Sequence, residues 1–184
     1  MTKKIDLFEK FKPDPHQEIS LKHARQNPVV LDLSDAGTGK TPVALWAYAE
    51  RHATGEARCA LVVCPRSLMT NVWINSVRKF TPHFKAVAAT AKNRTEAFAM
   101  DADIYVTNTD ATAWLAKQPK NFFKKFTELI VDESSAFKHH TSQRSKALAK
   151  IRKHFTHRRL MSGTPASRSI TDVWHQVFIL DGGE

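Results

Sequence analysis

The sequence has only two cysteines, Cys59 and Cys64, among its 184 residues. They flank the apolar run 60–63 and read as small buried side chains in a reducing compartment, not as a disulfide framework or a metal site. No apolar stretch approaches the roughly 20 residues that cross a bilayer. The opening Met1-Thr2-Lys3-Lys4-Ile5-Asp6 lacks the apolar centre of a secretory signal. These absences predict a cytoplasmic chain without membrane contact. Repeats and low-complexity tracts are also absent. Acids are scarce: 18 Asp and Glu face 28 Lys and Arg, giving a formal net charge of +10. That excess favours a polyanionic partner, the alternative being a solvated basic surface. The cations concentrate in Arg144, Lys146, Lys150, Arg152, Lys153, Arg158 and Arg159, with a smaller group at Lys117, Lys120, Lys124 and Lys125. His139, His140, His154 and His157 fall in no zinc-ligand spacing and read as surface residues near the basic stretch.

What is present is a globular pattern. The hydrophobic share is 42%, and the length suits one large domain or a small pair. Continuous apolar runs at 29–33, 60–64, 104–107, 129–132 and 159–162, and a weaker one at 84–89, read as strands of a parallel sheet covered on both faces. Helical patterns lie between them at about 15–26, 41–53, 66–80, 93–100, 109–117, 142–154 and 171–180. Alternating strands and helices predict an α/β layer fold whose ligands sit beyond the carboxyl ends of the strands. Trp46, Trp73, Trp114 and Trp174 all fall in helical segments and read as core packing; Trp73 is also open to a role as a stacking platform for a base.

The segment Ser34-Asp35-Ala36-Gly37-Thr38-Gly39-Lys40-Thr41 follows a predicted strand and opens a predicted helix. In that context the glycines let successive backbone N–H groups turn toward one anion, and the helix adds the positive end of its dipole. Lys40 then reaches the β- and γ-phosphates of a nucleotide, and Thr41 ligates Mg²⁺. The alternative is an ordinary glycine-containing turn, and Ser34 stands where the consensus begins with glycine. A second polar segment, Asp132-Glu133, ends an apolar run. A carboxylate there can hold Mg²⁺ through water, and its neighbour can deprotonate an attacking water. A third, Ser162-Gly163-Thr164, also follows a strand directly.

Taken together and in order, these segments resemble the first RecA-like lobe of a superfamily 2 helicase-type ATPase of the SNF2 branch. Pro15-His16-Gln17 is similar to the family's adenine-reading glutamine motif, with His16 where Tyr is usual. Residues 32–41 resemble motif I, and residues 61–73, from Leu61 through Arg66 and Ser67 to Trp73, resemble motif Ia. Asp132-Glu133-Ser134-Ser135 resembles motif II, and Leu160-Met161-Ser162-Gly163-Thr164-Pro165 resembles motif III. Val106-Thr107-Asn108 is more weakly similar to motif Ib. The resemblance runs from about Pro13 to Leu180, leaving residues 1–12 as a lead-in and 13–184 as the ATP-binding lobe.

The resemblance implies a RecA-like three-layer fold with a mainly parallel sheet, and an ATP- and Mg²⁺-dependent translocase acting on double-stranded DNA. It implies that Ala36, Gly37, Thr38, Gly39, Lys40 and Thr41 cradle the phosphates while Gln17 reads adenine. It assigns Mg²⁺ to Thr41 and Asp132, water activation to Glu133, and coupling to Ser162, Gly163 and Thr164. DNA contacts fall to Arg66, Ser67, Thr107 and Asn108. Ser135 departs from the family's usual His, which links the nucleotide site to motif III. The family's second lobe, with its arginine fingers, has no counterpart in the chain. A lobe cut from a longer protein, bacterial or phage, and nearly inactive alone is expected, with a naturally short protein as the alternative. Two other readings stay open: a nucleotide-binding module that does not hydrolyse, and a basic nucleic-acid-binding domain with an incidental Gly-Lys-Thr.

Overall fold

The apolar runs become six strands of one sheet: β1 (Val29–Asp32), β2 (Cys59–Cys64), β3 (Ala86–Ala89), β4 (Ile104–Asn108), β5 (Phe126–Asp132) and β6 (His157–Met161). They pair in parallel in the order β1-β6-β5-β2-β4-β3. The computed structural model describes residues 11–164 and 171–183, with the side chains of Thr171 and Asp172 outside that description. Of the expected lead-in, only Phe11 and Lys12 are described, and motif III is described up to Thr164.

The continuous apolar runs have a direct structural cause. Successive side chains of a strand point to opposite faces, so a sheet covered twice needs apolar residues at every position. Leu61, Val63, Tyr105, Leu129, Val131 and Leu160 enter one buried cluster. Their neighbours Ala60, Val62, Cys64, Ile104, Val106, Ile130 and Met161 enter the other. Burying a side chain of valine or leucine size stabilises by about 1.5–3 kcal/mol. The central strands do this on both faces, which makes them the main source of the fold's stability.

The helices follow the expected pattern with informative differences. α1 (Pro15–Gln26) starts where expected: Pro15 opens it, and the Gln17 side chain accepts the Asp14 backbone N–H at 3.0 Å. α2 (Lys40–Ala53) buries every residue from Val43 to Ala49. It is clamped to the sheet by a buried ion pair in which Arg51 donates from Nε and Nη2 to both carboxylate oxygens of Glu128 on β5. Leu21 and Ala24 of α1 pack with Val43, Trp46 and Ala47 of α2 and with Val30. The expected helix 66–80 divides into a wide π-helical segment, Met69–Ile74, and α3 (Asn75–Phe80). α4 (Arg94–Ala99) lies as expected, whereas the segment 109–117 holds only a short 3₁₀ turn and α5 (Thr112–Leu115). α6 (Lys120–Phe123) has no sequence signal, because four residues are too few to show a helical period. α7 (Gln143–Ile151) ends in a 3₁₀ turn, and α8 (Thr171–Asp181) completes the chain's described elements.

Two readings of side-chain placement need correction. Trp46 and Trp73 are core residues and Trp114 is half-buried, but Trp174 is 59% exposed and stacks along its own helix on Phe178. A 3.6-residue period places a residue on a helix without fixing which face the sheet covers. His154 and His157 are half-buried rather than at the surface, and the His154 ring stacks on Phe123 with centroids 4.4 Å apart.

Candidate nucleotide site

The strand register assembles the site. Met161 of β6 pairs with Asp32 of β1 on one side and with Asp132 of β5 on the other. The loops that follow these three strands, 33–39, 133–134 and 162–164, therefore leave the sheet at one level of one edge. Ser162 donates its backbone N–H to Asp32 O at 3.0 Å, and its side-chain oxygen accepts the Thr164 N–H at 3.1 Å. A Cβ on Gly163 would stand 3.3 Å from Ala36 N, so motif III lies directly against the phosphate loop.

The loop itself has the shape of an anion cradle. Gly37 and Gly39 hold φ of +83° and +81°, a region that side-chain-bearing residues avoid. A Cβ on Gly39 would also come within 2.2 Å of Gln17 Nε2. The backbone thus favours glycine at 39, and a side chain there would have to displace Gln17; the position lies at the first turn of α2, where helix N–H groups and the helix dipole favour a phosphate. The Lys40 ammonium folds back onto this loop and donates to Ser34 O at 2.7 Å and Asp35 O at 2.8 Å. Gln17 Nε2 donates to Thr38 O at 3.1 Å, and His16 Nε2 lies 2.9 Å from the same oxygen. α1 is in this way tied to the cradle, and His16, Gln17, Ser20, Ser34, Thr38 and Lys40 line a cleft of about 250 Å³.

Asp32 lies behind the loop. Its Oδ1 accepts from Ser34 N and Ser34 Oγ, at 3.2 and 2.5 Å, and its Oδ2 accepts from Arg159 Nη2 at 2.8 Å. Burial alone would push this carboxyl up, but the Ser34 hydroxyl and the Arg159 guanidinium outweigh it and hold Asp32 below the ordinary aspartate value. Arg159 therefore does not belong to the surface charge of the basic stretch: it is 3% exposed and is spent on this pair.

Asp132 and Glu133 stand at the end of β5. Asp132 is buried; its Oδ2 accepts the Trp73 indole N–H at 2.9 Å and its Oδ1 accepts the Glu133 backbone N–H at 3.0 Å. Burial pushes the Asp132 carboxyl up, while Trp73, the Glu133 amide and the Lys40 charge oppose the shift without cancelling it. That the Lys40 charge reaches Asp132 places the phosphate loop near the end of β5. Glu133 is the only non-glycine residue with positive φ among those described, at φ 51° and ψ 53°. Such a conformation costs on the order of 1–3 kcal/mol, persists only where its surroundings hold it, and clusters at active sites and switch regions. Next to it, the Ser134 hydroxyl donates to Gln176 Oε1 of α8 at 2.6 Å.

A separate hollow of about 320 Å³ opens at the ends of β2, β3 and β4, lined by Arg66, Met69, Thr90, Ala91, Lys92 and Asn108. Arg66 and Ser67 are exposed, and Asn108 is half-buried at its rim. Thr107 is not part of it: the side chain is fully buried and its hydroxyl donates to Ala89 O at 2.7 Å, pinning β4 to β3. Strand alternation explains the exchange, since Thr107 and Asn108 leave the strand in opposite directions. Thr90 and Lys92, which join Arg66 and Asn108, were not singled out by the sequence. Lys124 and Lys153 are exposed just before β5 and β6, at the far end of those strands from the nucleotide loop.

The residues present fit a nucleoside triphosphate with a divalent cation, because Gly37 and Gly39 hold the positive φ of an anion cradle and the Asp132 carboxyl feels the Lys40 charge. A family model described as the SNF2-related domain matches residues 22–181. The chain belongs to the SNF2-related domain family. The match begins after Gln17, so the link from α1 to the cradle stands on geometry alone. Protein p41 of Acyrthosiphon pisum secondary endosymbiont phage 1 is 27% identical over 95% of this SNF2-related domain, which spans 40% of that protein. The uncharacterized ATP-dependent helicase MG018 of Mycoplasma genitalium is 27% identical over 76% of the chain and is covered over 14% of its own length. The SWI2/SNF2 ATPase core of Sulfolobus solfataricus, solved in complex with dsDNA, superposes with a TM-score of 0.79 over 94% of this chain and 36% of its own, at 22% identity. At that identity the likeness shows the fold, which is RecA-like. The SNF2-related domain described here thus spans less than half the length of these relatives.

Proposed function

We propose that residues 13–184 are the ATP-binding lobe of a DNA-dependent ATPase that moves along duplex DNA. The observation that carries this reading is the meeting of three sequence-distant segments at one sheet edge: the Gly39–Lys40 cradle, the Asp132–Glu133 pair and the Ser162–Thr164 turn packed on Ala36. The cradle N–H groups and Lys40 bind the phosphates. Thr41 and Asp132 hold Mg²⁺, which when bound neutralises charge on the phosphate oxygens. Gln17 stays close to the bound nucleotide and serves adenine recognition from α1. Glu133 takes the proton of a water that attacks the γ-phosphorus, and the bond from that phosphorus to the ADP oxygen breaks. Ser162, Gly163 and Thr164 sense the change through their contact with the loop. The left-handed backbone of Glu133 favours hydrolysis over a purely binding role, because such costly conformations cluster at catalytic and switch positions. A net charge of +10 and the basic hollow at Arg66 and Lys92 support DNA as the partner, with Arg66, Ser67 and Asn108 facing the phosphates.

The partner half of this reading is tested by salt. Duplex binding is expected to weaken linearly on a log–log plot, with a slope of about −0.9 for each phosphate neutralised. Reversing the charge at Arg66 to Glu should make that slope shallower by about one to two contacts while leaving nucleotide affinity unchanged. A slope identical to wild type removes Arg66 from the DNA face.

A further inference from the structure

We propose that Trp73 is a positioning residue that joins the DNA-facing hollow to the Mg²⁺-holding carboxylate: its indole N–H fixes Asp132, and that hold responds when the segment beginning at Arg66 is occupied. The inference rests on the functional reading above.

The geometry is specific. Trp73 is fully buried, and its Nε1–H donates to Asp132 Oδ2 at 2.9 Å. The other carboxylate oxygen accepts the backbone N–H of the next residue, Glu133, so Asp132 is held both by the turn that follows β5 and by the π-helical segment after β2. Trp73 lies in the π-helical segment Met69–Ile74. Such segments are rare, are usually short and concentrate at functional sites. The segment is coupled to Arg66 through backbone bonds, Leu68 N–H to Pro65 O at 2.9 Å and Met69 N–H to Arg66 O at 3.4 Å. Met69 lines the hollow with Arg66 and Asn108, and it packs in the same buried cluster as Trp73. A phosphate drawn to Arg66 therefore acts on a segment whose far end holds Asp132.

Packing alone does not require this residue. A phenylalanine ring would fill most of the same space, whereas a buried indole N–H needs an acceptor, and the acceptor here is a charged one.

The test uses this chain and Trp73→Phe, which keeps a ring and removes the N–H. The affinity for a fluorescent ADP analogue is measured in Mg²⁺ and in EDTA, with and without a short duplex. Loss of a hydrogen bond to a charged group is expected to reduce the Mg²⁺-dependent gain in affinity by about tenfold. Affinity in EDTA should stay within about twofold of wild type, because the phosphate cradle is untouched. In wild type, the Trp73 indole ¹H–¹⁵N resonance should shift on addition of duplex alone. If Trp73→Phe does not fold, that resonance, assigned by replacing the other tryptophans, carries the test. A full Mg²⁺-dependent gain in Trp73→Phe, or an indole resonance indifferent to duplex, overturns the inference. Wild type without any Mg²⁺-dependent nucleotide binding would instead bring down the functional reading, and this inference with it.

Discussion

Replacing Glu133 by Gln in a two-lobed protein that carries this domain is expected to lower ATP turnover by about 10²–10⁴ while ATP still binds. Glutamine keeps the shape of the side chain and its power to hydrogen-bond, but it cannot accept the proton of the attacking water. The backbone supports the assignment, since Glu133 sits at φ 51° at the end of β5, a conformation whose cost needs a reason. Nucleotide affinity measured alongside separates loss of the base from loss of the fold. Turnover equal to wild type would mean that another residue orients the water.

The second large effect concerns what this chain does alone. Phosphoryl transfer requires cations around the γ-phosphate at the transition state. Among the described residues that line the nucleotide cleft, Lys40 is the one lysine or arginine, while Arg159 is committed to Asp32 behind the loop. An arginine finger contributes about 10³–10⁵ in rate. The 184-residue chain should therefore hydrolyse ATP barely above background, with little stimulation by DNA, and joining it to a second lobe that supplies such arginines should raise turnover by about that factor. The comparison is steady-state ATPase with and without duplex, for the chain alone and for the two-lobed form. Robust DNA-stimulated turnover by the chain alone would mean that self-association or one of its own arginines completes the site.

The sheet was legible because most of its strands carry a run of apolar residues at consecutive positions, which double coverage favours, although β5 carries Thr127 and Glu128 near its start and β6 begins with His157, Arg158 and Arg159. The phosphate loop was equally plain, since the glycine positions needed for positive φ stand between a strand and a helix signal. What stayed hidden depends on which way side chains point. Thr107 and Asn108 are adjacent in the motif Ib match, yet alternation buries one and leaves the other on the hollow. Arg159 looks like one more cation in a basic stretch until β6 pairs with β1 and sets it against Asp32. Glu128 reads as the polar start of a strand, and only the packing of α2 over β5 pairs it with Arg51. Trp73 reads as core, which it is, but its hydrogen bond to Asp132 joins residues 59 positions apart in the chain. No local pattern encodes such a contact.

The proposed function stands first on the Gly39–Lys40 cradle binding the phosphates of ATP. Titration calorimetry of Mg-ATP into this chain and into Lys40→Ala tests it most directly. Lys40 contributes charged hydrogen bonds of roughly 1.5–3 kcal/mol each to the phosphates, partly offset by the two loop carbonyls its ammonium must leave. Wild type should bind, and Lys40→Ala should stay folded and bind at least about tenfold more weakly; equal affinity in the two proteins would mean that the cradle does not hold the phosphates.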